Sequence, residues 1–139
     1  MPSVDINWLA IIAAVAINMV IGAIWYSPVM FAKDWAKLTG RKMNEMGDGT
    51  KGYILTTIGA FVQALVLLHF VTYAAFFWPT YNNVSVGLLT ATWAWLGFVA
   101  IPQGVNMVFA NTRKKLWAIN TGYFLVVLLI NGVILASWR

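Results

Sequence analysis

The chain contains no cysteine, a single histidine and only four acidic residues in 139. The missing thiols exclude disulfides, thiolate metal sites and cysteine nucleophiles, and they leave the redox compartment open. The four acids, Asp5, Asp34, Glu45 and Asp48, all lie outside the apolar stretches. The sequence therefore offers neither a buried carboxylate pair for acid–base chemistry nor a carboxylate inside a span to drive proton-coupled transport. Ser27 and Ser85 have no neighbouring His and Asp to activate them, and phosphate loops, nucleotide fingerprints and zinc motifs are missing. No catalytic residue, cofactor or metal is expected, and a membrane enzyme ranks third, behind a binding or transport module and a structural protein.

Charge of either sign is scarce, at 9% of residues, where a soluble domain carries about a quarter. What fills the space is apolar: 61% of residues, with a mean hydropathy of +0.77. Four stretches approach the ~20 residues that cross a bilayer, at 7–26, 53–77, 84–109 and 116–138. The expected fold is all-α, a polytopic four-transmembrane-helix bundle forming one membrane domain over 1–139. The first stretch lacks a basic segment before it and is followed by three like it, which argues against a cleaved signal peptide. It starts with Trp8 and ends with Trp25 and Tyr26, amphipathic rings suited to the two membrane interfaces.

Ser27 and Pro28 stop the first span, because proline has no amide proton and biases the preceding residue away from helix. The same pair can open the next element, with Ser27 as N-cap. Over 28–38, Phe31, Trp35 and Leu38 recur at helical spacing while Lys33, Asp34 and Lys37 take other positions, the pattern of a short interfacial helix. Gly40 ends it, and Arg41 to Gly52 reads as a loop. Pro102 is expected to kink the third span by depriving the Phe98 carbonyl of its partner.

The formal charge of +5 could suggest a nucleic-acid binder, but the basic residues cluster in two short loops. Lys33, Lys37, Arg41, Lys42 and Lys51 lie in the first and Arg113, Lys114 and Lys115 in the third; with Arg139 at the far end, the count by side is eight against one. That is positive-inside patterning. It predicts a bacterial inner (plasma) membrane protein with both termini outside the cytoplasm, lipid as its surroundings and no nucleic-acid partner.

Polar residues within the spans are the candidate functional groups. At 1.5 Å per residue, Asn18 and Gln63 fall near the midplane and form the first candidate pair. An outer layer holds His69, Thr90, Thr92 and Asn131. An inner layer holds Gln103, Asn106 and Asn120 beside Trp25, Tyr26 and Ser27, a candidate polar pocket. Each amide must satisfy donors and acceptors against protein or captured water. Two readings follow: the amides glue helices together at about 1 kcal/mol or less per contact, or they line a small pocket or path with a kinked wall at Pro102. His69 has no second His, Cys or carboxylate at its depth, so a neutral, hydrogen-bonded ring is expected rather than a metal ligand.

Ala10, Ala14, Asn18 and Gly22 follow at intervals of four down the first span, a stripe another helix can approach closely. It could serve the chain's own bundle or a homodimer seam, and at least a dimer is expected from the ample lateral surface. Gly22-Ala23-Ile24-Trp25-Tyr26-Ser27-Pro28 with Phe31 and Trp35, Trp95-Leu96-Gly97-Phe98 before Asn106, and Ile119-Asn120-Thr121-Gly122-Tyr123 together resemble the DUF1761 family of small bacterial membrane proteins. The resemblance implies a membrane fold across almost the whole chain and carries over no mechanism. The functional expectation is a module for transport, permeation or binding of a small polar or amphipathic molecule. Its rival is a structural or accessory protein whose polar residues only fix packing and whose basic loops meet lipid or a partner.

Overall fold

The computed structural model describes residues 1–41 and 49–139. Lys42 and the middle of the loop expected between Arg41 and Gly52 lie outside the described residues. The helices are α1 (Trp8–Trp25), α2 (Ala32–Thr39), α3 (Thr50–Phe77), α4 (Asn83–Trp95), α5 (Ile101–Phe109) and α6 (Lys114–Ser137), with one π-helical turn, Leu96–Ala100, between α4 and α5. Four helical stretches are long and apolar enough to cross a membrane: α1, α3, α4 continued through α5, and α6. The short α2 after the first of them does not span.

Local chemistry sets the ends. Asn7 precedes α1 as its N-cap, its side-chain oxygen accepting the Leu9 and Ala10 N–H groups, and Asn82 caps α4 by accepting Ser85 N–H at 2.9 Å. Ser27 departs from its expected role. Its hydroxyl donates back to the Ile24 carbonyl of α1 at 2.6 Å, so it closes the first span and does not cap α2. The residues after it form turns, with Phe31 N–H reaching Trp25 O and Ala32 N–H reaching Ser27 O. The short helix consequently begins at Ala32, later than the expected 28, with Phe31 as an N-cap that makes no side-chain bond.

The irregularity before Pro102 is a π turn. Ile101 N–H bonds Leu96 O, five residues back, so one extra residue is accommodated just ahead of the ring that cannot donate. Trp117 Nε1 on α6 donates to the Ala100 carbonyl at 3.0 Å, tying that turn to its neighbour.

α4 and α6 share the most extensive contact in the bundle. It is made possible by facing glycines: a Cβ on Gly87 would lie 2.6 Å from the Gly132 carbonyl carbon, and one on Gly132 would lie 2.6 Å from Gly87 O. Small-xxx-small pairs, Gly87 with Ala91 and Gly132 with Ala136, border this approach. α1 runs antiparallel to α6, pinned by Asn7 Nδ2 to Trp138 O at 2.9 Å and Asn131 Nδ2 to Ala14 O at 3.2 Å. Both chain ends thus lie at the same end of the bundle. Ala10, Ala14 and Asn18 are buried in the chain's own core with Leu68, Val71 and Leu135, and Gly22 faces the Tyr123 ring. The small-residue stripe is consumed within one chain and supplies no dimer seam.

α3 packs against α1: Asn18 meets Gln63, Met19 meets Thr57 and Trp8 stacks on Phe61.

Candidate functional site

Two separated sequence segments, one at Trp25–Tyr26 and one at Trp95, converge on the opening turns of α6. Trp25 Nε1 donates to Ile119 O at 2.9 Å, Trp95 Nε1 donates to Thr121 O at 2.7 Å, and Tyr26 OH donates to Asn120 Oδ1 at 2.9 Å. Each carbonyl has a second lone pair for this beyond its helical bond. Gly122 leaves room for Trp25, whose ring carbon would meet an added Cβ at 3.2 Å. The rest of the motif packs on this hub: Phe31 lies 4.9 Å from Trp25 and Trp35 lies 6.2 Å from Tyr26, measured between rings. The GxxWYSPxxFxxxW run is therefore an assembly device that anchors the end of α1 and the whole of α2 to α6. An exposed ion pair between Asp34 and Lys115 at 3.2 Å adds to the same docking.

Deeper in the bundle, Asn18 Nδ2 donates to Gln63 Oε1 at 3.1 Å. On its other side Asn18 accepts from Tyr123 OH, through both its side-chain oxygen and its backbone carbonyl. One hydroxyl on α6, one amide on α1 and one amide on α3 form a continuous string, buried at Tyr123 and Asn18 and half-buried at Gln63. Tyr123 was not among the polar residues singled out by depth, because a tyrosine within a span reads first as an aromatic.

The inner set is only partly brought together. Tyr26 and Asn120 meet, Trp25 bonds the backbone beside them, and Ser27 bonds its own helix. Gln103 is half-buried and Asn106 exposed, and among the described residues neither forms a hydrogen bond with the others. The outer set is dispersed as well. His69 Nδ1 lies 2.7 Å from Leu65 O; a carbonyl can only accept, so that nitrogen carries a proton. Thr92 is exposed and turns its hydroxyl to Leu88 O at 2.8 Å. Among the described residues no three His, Cys, Asp or Glu side chains gather as a metal would require.

Thr90 and Asn131 differ from these. Thr90 is 8% exposed and Asn131 is 2% exposed and gives its amide to Ala14; among the described residues neither the Thr90 hydroxyl nor Asn131 Oδ1 has a partner. Thr39, Thr56, Thr57, Thr92 and Thr121 fold their hydroxyls onto the carbonyl four residues back. Thr90 does not, although the same bond would remove the cost of an unsatisfied buried group.

Thr90 also borders a groove, although its hydroxyl oxygen is sealed from it. α3 and α4 flank two adjoining open cavities of about 340 and 320 Å³, each within the ~300–1,000 Å³ typical of ligand sites. Gln63 lines the first and Thr90 the second, while Phe70, Ala94 and Phe98 line both. Tyr73, Trp78 and Trp93 extend the second cavity toward the end where the chain termini lie. Neither cavity is lined by Asn106 or Asn120.

Four apolar spanning helices, a non-spanning helix between the first two and a core knitted by indole and amide hydrogen bonds define a multi-pass helical membrane protein. The chain belongs to the DUF1761 family, described as a protein of unknown function, whose model matches residues 9–136. No curated protein and no solved structure matches it.

Proposed function

We propose that the protein is a small-molecule binding module of the membrane, loaded laterally from the bilayer through the groove between α3 and α4. The observation that carries this reading is the pair of adjoining, almost wholly apolar cavities between α3 and α4, sharing Phe70, Ala94 and Phe98 and each large enough for a small molecule. The test is retention of a ligand: the purified protein, released from lipid nanodiscs into a native mass spectrometer, should carry a discrete small adduct that Phe98→Trp, which fills the groove from an exposed position, removes. Bare protein, or an adduct indifferent to that substitution, would count against the proposal.

The structural or accessory reading has its own support in the satisfied contacts. Asn18, Gln63, Tyr123, Tyr26 and Asn120 already bond one another across helices and need no ligand. We therefore assign these residues to packing and move the candidate site from the inner end to the groove. The rest of the proposal comes from charge and surface. Basic loops on one side support a bacterial plasma membrane orientation with the termini outside and α2 in the inner interface. The exposed aromatic flanks of α3 and α4 leave lateral surface for at least a homodimer.

A further inference from the structure

The walls of the groove continue past its two cavities, and what they leave open narrows the class of ligand, an inference that rests on the binding role proposed above. The first cavity is bounded by α3 from Gln63 to Phe70 and by Ala94, Phe98 and Val99 across from it. Toward the end that carries the basic loops, the same walls become the opening turns of α3 and the whole of α5. Residues 50–59 of α3 are all exposed, a run of about three turns, and α5 has no buried residue. α5 packs on α6 and on the π turn before it, while α3 meets α1 through Thr57 and Met19. The two helices stand apart, and the first cavity runs on as an open cleft to the basic end.

The cleft suits a hydrocarbon tail. Leu55 and Ile58 on α3 and Val105 and Val108 on α5 are exposed, and Thr56 and Thr57 fold their hydroxyls onto their own helix. Apart from the Gln63 amide, tied to Asn18, the lining of the first cavity is apolar. The polar rings of Tyr73, Trp78 and Trp93 belong to the second cavity, farther from the basic end. Length agrees with this division. Ile54, one turn into α3, and Phe70 lie about 24 Å apart along the helix. An all-trans chain of 16–18 carbons, at about 1.25 Å per carbon, reaches about 20–22 Å. Its end would stop inside the first cavity, between Val66 and Phe70.

Charge selects the head. The mouth of the cleft lies between the first turn of α3 and the link from α5 to α6. Lys51 stands on one side and Arg113 and Lys114 on the other, all exposed. The loops at this end hold eight Lys and Arg against three acids, a net charge of +5, whereas the far end sets Arg139 against Asp5. A negative headgroup is therefore attracted to the mouth and to no other point of the groove.

We propose that this cleft binds one anionic phospholipid, its phosphate held between Lys51 and the Arg113–Lys114 pair and one acyl chain extended into the cavity at Phe70 and Phe98.

The test places the full chain in nanodiscs of equal parts phosphatidylglycerol and phosphatidylcholine with identical acyl chains, and ejects it into a native mass spectrometer. The expected result is one retained phospholipid per chain, with phosphatidylglycerol favoured at least about tenfold. Lys51→Gln and Arg113→Gln should each lower that preference about fivefold, the weight of one basic residue at an anionic surface, and Arg139→Gln should leave it unchanged. Phe98→Trp should remove the retained lipid. A phosphatidylglycerol with a diazirine near the end of one chain should label Val66, Phe70 or Phe98. Equal retention of the two lipids, a preference that survives both substitutions, or labelling spread over all four spans would overturn the proposal. A retained adduct of another mass that Phe98→Trp removes overturns the phospholipid and leaves the binding role standing. A lipid-free dimer overturns it in favour of a second copy in the cleft, and a bare monomer overturns both the phospholipid and the binding role.

Discussion

Gly87 and Gly132 bring α4 and α6 together backbone to backbone: a methyl group on Gly87 would lie 2.6 Å from the Gly132 carbonyl carbon and 2.8 Å from Val133 N. Neither neighbour is the movable end of a side chain, so the helices themselves must part. Gly87→Ala should destabilise the bundle by about 1–3 kcal/mol or more, read as a lowered unfolding midpoint in mild detergent. Gly59 in α3 has open space where its Cβ would be. Gly59→Ala should be neutral or stabilising by up to about 1 kcal/mol, and equal losses at the two sites would refute the close-approach argument.

Tyr123→Phe removes the proton that links α6 to Asn18 and, among the described residues, leaves the Asn18 side-chain oxygen without its donor. We expect a loss of about 1 kcal/mol, between the average for hydrogen bonds within membranes and the cost of an orphaned buried acceptor. Thermal unfolding in the same detergent measures it. Tyr123→Phe with wild-type stability would mean that the Asn18 string is incidental to the fold.

Much of this fold was legible in the sequence because the bilayer requires every spanning backbone to satisfy itself, which turns hydropathy into architecture. Asn18 and Gln63 could be paired on depth alone, since two amides near one midplane have few other partners. The Gly87 and Gly132 approach was overlooked although both sit in small-xxx-small pairs, because four-residue spacing of small residues is common in apolar spans and only facing helices give it meaning. The groove was not legible at all. It arises from how α3 and α4 are placed against each other, a tertiary property that no local pattern encodes, and Thr90 looked no different from Thr92 until their hydroxyls could be compared.

Thr90→Val should raise stability, by up to about 1–2 kcal/mol, because it replaces an unsatisfied buried hydroxyl with an isosteric methyl. Thr92→Val, which removes a hydroxyl already bonded to Leu88 O, should be neutral or slightly destabilising. Unfolding of the ligand-free proteins in detergent separates the two. A stability loss in Thr90→Val would indicate that its hydroxyl is satisfied within the chain.

The lack of native cysteine makes single-cysteine labelling unambiguous. In sealed cells, a cysteine at Lys114 should be protected from a membrane-impermeant maleimide, whereas one added beside Arg139 should react. The opposite pattern would invert the proposed orientation.

The most direct measurement of the central proposal is an experimental structure of the protein in nanodiscs of its native lipids, inspected in the groove between α3 and α4. The account predicts discrete non-protein density lying against Phe70 and Phe98, the residues shared by both cavities. A groove closed by α3 and α4 packing together, with no such density, would contradict it.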